Sequence, residues 1–568
     1  MTSQNSVEIK IRPPQEVMRL NRLGAAFPTR LSFMRRLIRH MKREKWKIER
    51  KKFNLDKYGY GSALYVVKTP ERSYSLICFS HFIKPESRTD RVIAKEWDAT
   101  FALFDGVPEK NDIKRLSENV PKQESGRYQN TELVISRANK SVRLFDNVID
   151  MLSKGIQPDP DMINSVGYLM RTTAVYANGK FGLCDRFKYA DRLELSQPFQ
   201  VEMLSVYLIR LFTFDLVDHI VFSGNNKKSV KLDRSLKRHL GIGNATGLGM
   251  APFLISHPIL IHNWFHAREV SLYKIRSIEN VSNIHLGVFK KVLNKASQHV
   301  REWSVDDKKQ SYLISQLLKD LNILSDWVKD KDFLKDKYAW NTLYLKTKKN
   351  LSIECQELLV SLLLEPYPEM IDNISESLEV KTQEFFDPNM KISTLKNIID
   401  NNYKWALDIN FDDPKENYHF WYYSKEKLEP RRGVRGTELD FNKEMQIAIA
   451  RDVKVLRKKL IDVDEDEILA SFTMKFNDLR HIVSRIQIGA KYNYSEIQDN
   501  IISISCRPVN ILRGKLAYFG ASKFDPKSDL WTRITMYQGA PLDDELSRSD
   551  ADDWYFPIKP VNNQCKSH

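Results

Sequence analysis

Apolar residues recur at close to helical spacing near the start of the chain, at Leu31, Phe33, Met34, Leu37, Ile38, Met41, Trp46 and Ile48. Between them stand Arg30, Arg35, Arg36, Arg39, Lys42, Arg43, Lys45, Lys47, Arg50, Lys51 and Lys52, so the spacing predicts an amphipathic helix with a solvated basic face. The period then changes. Residues 59–68 and 73–83 are rich in β-branched and aromatic side chains and are joined by a short turn containing Pro70, which predicts a hairpin, with a third strand ending near Val107. Residues 108–130 are polar and aperiodic and read as a linker or surface loop.

Helical periodicity dominates the chain from there to residue 488, over 131–153, 160–177, 197–222, 258–300, 307–330, 353–364, 390–401, 443–461 and 465–488. Residues 502–512, 515–524 and 532–537 lean towards β composition and are punctuated by Gly and Pro. The whole predicts an α+β chain, predominantly α-helical. A small mixed N-terminal unit of basic helix and hairpin fills 1–107, a loop 108–130, and a large helical body 131–406. A polar connection covers 407–440, a helical segment 441–490, a β- and loop-rich segment 491–540, and a mobile acidic tail 541–568.

With 568 residues the chain exceeds what one hydrophobic core usually serves, and 42% hydrophobic residues place it among folding chains. The formal net charge of +16 calls for an anionic partner or substrate without choosing among anions. Five cysteines without a CxxC pair indicate neither a disulfide framework nor a structural zinc site, and fit a reducing, cytoplasmic setting. The first residues lack the apolar core of an export signal, and no apolar stretch is long enough for a membrane span.

The run Gly241 to Phe253 holds four glycines in nine residues, which implies tight backbone geometry. Gly241, Gly243 and Gly247 are spaced one residue too long for a dinucleotide fingerprint, and Met250-Ala251 stand where a P-loop would carry its lysine, so neither an NAD nor a P-loop motif is present. The remaining readings are close packing around small residues, or a loop whose N–H groups receive an anion beside the Asn244 amide and the Thr246 hydroxyl.

His262, His266 and Glu269 come next at i, i+4 and i+7 on one helix face, a set that can offer two imidazoles and a carboxylate to a divalent metal. Without HExxH the same residues also fit an ordinary core or interface, and His257 and His262 are candidate general acids or bases, with Glu269 beside them. A di-iron oxygenase centre would need two Glu-x-x-His pairs; Glu416 to His419 supplies one, and Asp478 to His481 is a looser echo.

Cations beside glycine turns supply the substrate-binding candidates. Arg171 and Lys180 flank the Asn178-Gly179 turn, Arg268 comes soon after His266, and Arg432 and Arg435 adjoin Gly433 and Gly436. Cys506 beside Arg507 is a candidate nucleophile, with Lys523 further on in the same turn-rich stretch. Helix C-caps and intersubunit ion pairs explain the same features without a ligand.

Taken together, these residues favour an enzyme of lyase or transferase type with histidine acid/base chemistry. Its substrate is a small anion, bearing carboxylate, phosphate or CoA, held by Arg- and Gly-rich turns in a homo-oligomer. One alternative is a nucleic-acid-binding protein using the basic helix and the aromatic run Phe420 to Lys425. The others are a metal-dependent oxygenase and a scaffold whose arginines are subunit contacts.

Overall fold

The computed structural model describes residues 9–19, 21–22, 30–87, 96–119, 129–173, 191–197, 199–247, 257–330, 332–376, 385–413, 419–424, 429–434, 444–445, 449–498, 520, 522–526 and 531–561. Among them the strands are β1 (Lys47–Leu55), β2 (Gly61–Lys68), β3 (Ser73–Ser80), β4 (Ala99–Asp105), β5 (Glu132–Lys140), β6 (Tyr168–Thr172), β7 (Gly241–Gly247), β8 (His419–Ser424), β9 (Glu429–Val434), β10 (Glu444–Met445), β11 (Lys523–Pro526) and β12 (Trp531–Met536). The longer helices begin with α1 (Phe33–Arg43), α2 (Lys110–Asn119), α3 (Phe145–Ser153), α4 (Gln200–Ser223), α5 (Pro258–Arg276), α6 (Asn283–Glu302) and α7 (Lys308–Lys329). They continue with α8 (Ala339–Asn350), α9 (Ile353–Leu364), α10 (Pro368–Glu376), α11 (Ile392–Asn402), α12 (Ala450–Lys459) and α13 (Arg480–Lys491). The mixed α+β class with substantial helix is what the sequence predicts. None of the described helices is long and apolar enough to cross a membrane.

The chain forms two compact units, each assembled from separated segments. One comprises Gly24–Thr246, Asn283–Lys331 and Lys515–His568. Its nine-stranded sheet has the order β1-β2-β3-β4-β5-β6-β7-β12-β11, antiparallel from β1 to β6 and parallel between β6 and β7. The helix α4 packs on one face, where Phe212 meets the rings of Phe53 and Phe101 and Asp215 accepts from the Tyr65 hydroxyl at 2.6 Å. On the other face Leu64, Val66, Ile77, Phe79, Ala102, Phe104 and Ile135 close against Leu116 of α2. Arg210 of α4 is wholly buried and forms no ion pair among the described residues. Instead it donates to the carbonyls of Lys237, Arg238, Leu240, Ala540 and Pro541, and burial lowers its pKa to about 10.

Several expectations change here, each for a tertiary reason. The loop expected at 108–130 contains α2, whose Leu116 covers the sheet. Residues 132–140, expected as helix, form β5 because burial on both faces hides the alternation of a strand. The helix expected over 160–177 ends at Val166, where Gly167 takes a left-handed conformation, and β6 begins. The glycine run expected as a loop enters β7, and its glycines serve close approach: a Cβ on Gly241 would lie 2.2 Å from the Met536 carbonyl oxygen, and one on Gly243 would lie 2.7 Å from the Tyr168 ring.

The basic face of α1 is not a solvated one. Arg35 is completely buried, Arg36 nearly so, and the Asp552 carboxylate gathers Arg35 at 3.1 Å, Arg30 at 2.9 Å and Arg39 at 3.4 Å. Burial alone would raise the Asp552 pKa, but these guanidiniums outweigh it and hold the carboxyl at about 2. The acidic tail expected to be mobile is thereby tied down through residue 561, with Trp554, Tyr555 and Phe556 in the core. Its other acids pair as well, Asp553 with Lys291 and Asp544 with Arg234.

The second unit comprises Met1–Leu23, Gly247–Ser282 and Asp332–Gly514. In it α5 packs against α8, α9, α10 and α13, with Trp264 and Trp340 fully buried. A separate apolar cluster joins Ile392, Leu395 and Ile399 of α11 to Val453 and Leu456 of α12 and Ile482, Val483 and Ile486 of α13. The strands β8, β9 and β10 form a small sheet of order β10-β8-β9; β8 and β9 lie in the stretch expected to be a polar connection, and β10 at the start of the segment expected as helix.

Candidate functional site

Three strands of the large sheet change character at one level. Along one face of β4, Phe104 and Ala102 give way to Thr100 and then, just before the strand, Asp98; along β5, Ile135 gives way to Arg137 and Asn139; along β3, Ile77 and Phe79 give way to His81. The register brings the polar residues into line. The His81 N–H donates to the Asp98 carbonyl at 2.8 Å, the Asp98 N–H reaches Asn139 Oδ1 at 3.0 Å, Asn139 stands opposite Arg171 of β6, and Arg171 stands opposite Gly243 of β7. Adjacent strands lie about 4.8 Å apart, so His81, Asp98, Asn139 and Arg171 form a row about 14 Å wide. A second row below it contains Thr100, opposite Arg137.

Asp98, Asn139 and Arg171 are 1%, 4% and 5% exposed, which makes this row costly unless each group is partnered. Part of the row finishes the β4–β5 ladder: Asp98 Oδ2 accepts from the Lys140 N–H at 2.9 Å, reciprocating the bond to Asn139. Arg137 stacks over the Trp97 ring at 4.8 Å, and its backbone is bonded on both sides by Thr173. His81 Nε2 lies 3.1 Å from Thr100 Oγ1; burial lowers the imidazole pKa against the opposing pull of Asp98, favouring the neutral ring. On β7, Asn244 is buried. Its Nδ2 donates to the Thr172 carbonyl at 3.1 Å, while Oδ1 has no hydrogen-bond partner among the described residues.

Of the expected site residues, the structure thus brings Arg171 and Asn244 onto neighbouring strands, with Thr246 further along β7. Asn178, Lys180, Arg435, Cys506 and Arg507 lie outside the described residues. Arg432 stands in β9 opposite Trp421, and Lys523 in β11 opposite Thr535.

The expected metal set is not assembled as its spacing suggested. Among the described residues no group of three or more His, Cys, Asp or Glu side chains is arranged to hold a metal. Glu269 belongs instead to a buried ion network: it accepts from Arg12 at 2.7 and 2.8 Å and from Arg268 at 2.9 Å, while Glu357 accepts from Arg12 at 2.8 Å and Arg22 at 2.9 Å. Arg268 is therefore also an ion-pair partner, stacked over Phe265 at 4.8 Å. His262 and His266 do meet, with stacked rings 5.2 Å apart, and His262 Nδ1 accepts from the Tyr494 N–H at 3.1 Å. Burial and the neighbouring imidazole lower the His262 pKa to about 4. His257 is the residue just before α5, where its carbonyl accepts from the Ile261 N–H at 3.1 Å.

His81, Arg137 and Asn139 were not singled out as site residues from the sequence. Their signal was present: each interrupts a run of β-forming apolar residues, but only strand pairing shows that the interruptions fall at one level. Comparison with known proteins adds no relative: no family model, no curated protein and no solved structure matches this chain.

Proposed function

We propose that the row binds the anionic group of a small carboxylate- or phosphate-bearing ligand, with Arg171 and Arg137 opposing its charge and His81 transferring a proton. The observation that carries this reading is the alignment of imidazole, carboxylate, amide and guanidinium on four adjacent strands, on a face that is apolar a few residues away. A guanidinium presents paired donors that match both carboxylate and phosphate. A neutral imidazole is suited to general acid/base work near neutrality, as lyase and transferase reactions require. Asp98 lies beside that imidazole and favours its protonated form when the proton is taken up.

Thermal unfolding in the presence of inorganic phosphate, pyrophosphate and citrate tests the reading. At least one of these should raise the Tm by several degrees, as saturating ligand does through mass action. The increment should vanish in Arg171→Gln and shrink in Arg137→Gln, while His81→Asn keeps it. If none of the three anions shifts the wild-type protein, or if the increment survives in both arginine variants, the proposal fails.

A further inference from the structure

The edge strand of the large sheet leads straight to this row. Among the described strands β1 lies at the end of the sheet order and pairs with β2, and Lys47, Arg50, Lys51 and Lys52 along it are exposed, as is Lys45 just before it. Glu49 engages Lys51 and Lys68, and Arg50 pairs with Asp215 at 3.0 Å. Lys45, Lys47 and Lys52 form no ion pair among the described residues. Nine residues of extended strand make a basic track about 30 Å long.

At the end of β1 that abuts the row, the track becomes aromatic. Leu55 pairs with Gly61 and Gly61 with Ser80, so the turn 56–60 stands at the level of His81. Tyr58 is 58% exposed and Phe82, the residue after His81, is 66% exposed. Tyr60 lies between them, its ring centroid 6.3 Å from Tyr58 and 5.7 Å from Phe82. Two ammonium groups attend these rings, Lys57 over Tyr58 at 5.0 Å and Lys140 over Tyr60 at 5.7 Å. The turn is rigid: Asp56 Oδ1 accepts from the N–H groups of Tyr58 and Tyr60, both at 2.9 Å, and the left-handed Gly59 sits so close to Leu216 and Ile220 of α4 that a Cβ would lie 2.7 Å from the nearest atom. Large aromatic rings held outward by such a turn are exposed by construction.

From this arrangement we infer that the protein binds single-stranded nucleic acid, its phosphates running along β1 and its unstacked bases lying on Tyr58 and Phe82. The inference rests on the proposed function in one respect, that it makes a phosphate of the strand the anion delivered to Arg171. The features fit a single strand better than a duplex, since exposed rings next to lysines stack on bases only where those are free of their partners. Edge strands also carry lysine merely to prevent pairing with other chains, and that explanation predicts no affinity for a polyanion.

Fluorescence anisotropy with labelled oligo(dT) and oligo(rU) of about twelve nucleotides, set against a hairpin duplex of equal charge, decides between these explanations. Wild-type protein should bind the single strands more tightly than the duplex, with an affinity that falls steeply with salt. The triple variant Lys47→Glu, Lys52→Glu, Lys57→Glu should lose about tenfold or more at low salt and show a shallower salt slope. Tyr58→Ala with Phe82→Ala should lose about tenfold with little change in that slope. All these residues are exposed, so circular dichroism should match the wild type. Absence of oligonucleotide binding at low salt, or binding by both variants equal to that of the wild type, overturns the inference. Phosphate binding without oligonucleotide binding would remove it while leaving the proposed function standing. Oligonucleotide binding that survives in Arg171→Gln, with phosphate binding lost, would keep the track and separate it from the row.

Discussion

Replacing Arg12 by Met should loosen the unit that contains α5 and α9, and the size of the effect follows from the buried ion network it breaks. The Arg12, Glu269 and Glu357 side chains are 2%, 0% and 1% exposed, so the substitution leaves two buried carboxylates with Arg22 and Arg268 as their remaining partners. Breaking a buried pair from one side costs about 3–5 kcal/mol, because the surviving charge stays desolvated. The Glu357 carboxyl gives the pH dependence. Burial pushes its pKa up, but Arg12 and Arg268 more than compensate and hold it at about 2, against an ordinary value of 4.5. At about 1.4 kcal/mol per pKa unit that net difference, set by burial and all the arginines around Glu357 together, corresponds to about 3 kcal/mol of pH-dependent stability. Because the folded pKa is the lower one, this stability is complete above about pH 4.5 and is lost as the pH falls towards 2.

Because the network lies within one of the two units, local hydrogen exchange locates its loss more directly than a global unfolding curve. Amides of α9 should exchange about a hundredfold faster in Arg12→Met at neutral pH, with the difference narrowing on acidification. The triple variant Arg12→Met, Glu269→Met, Glu357→Met should recover much of the protection, since apolar groups of similar size replace a buried ion network at little cost. Unchanged exchange in α9 of the single variant, or a triple variant more labile than the single one, would refute the reasoning.

Asp552→Asn leaves Arg35 buried beside a neutral amide and should cost about 3 kcal/mol, read as a lowered Tm and faster exchange in α1. In Gly243→Ala the new methyl meets the Tyr168 ring at 2.7 Å and should cost about 1–3 kcal/mol in thermal unfolding, largely restored by adding Tyr168→Leu. Nitrogen-15 NMR titration should show His262 neutral down to about pH 4; since the unfolded imidazole binds its proton more readily, its contribution to stability is complete above about 6.5 and declines as the pH falls.

The local code of the chain was sufficient for much of the secondary structure. The hairpin of β2 and β3 shows in its β-branched and aromatic runs, and α5 and α7 show in their apolar spacing, because these elements obey their own period; of the basic run expected as one helix, only its first part is α1, while residues from Lys47 onward form β1. The polar character of Arg171 and Asn244 beside a turn was also legible, and both residues lie at the level where the sheet turns polar. Where sequence and structure part, long-range burial is the cause. β5 is covered on both faces and so lost its alternation, and the glycines of β7 look like a loop until Met536 and Tyr168 are seen to need their space.

Charge shows the division most clearly. The arginines of α1 look like a solvated stripe in one dimension, yet Asp552, some five hundred residues away, turns Arg35 and Arg39, together with Arg30 just before the helix, into an internal clamp. Glu269 is spaced to join two histidines on its helix, yet Arg12 from the N-terminal segment claims it. Spacing along a helix or strand determines which face a residue occupies, and the sequence alone supplies it. Which charge meets which, and which interruptions of the apolar runs fall side by side, depend on strand register and on segments distant in the chain, and those only the tertiary structure decides.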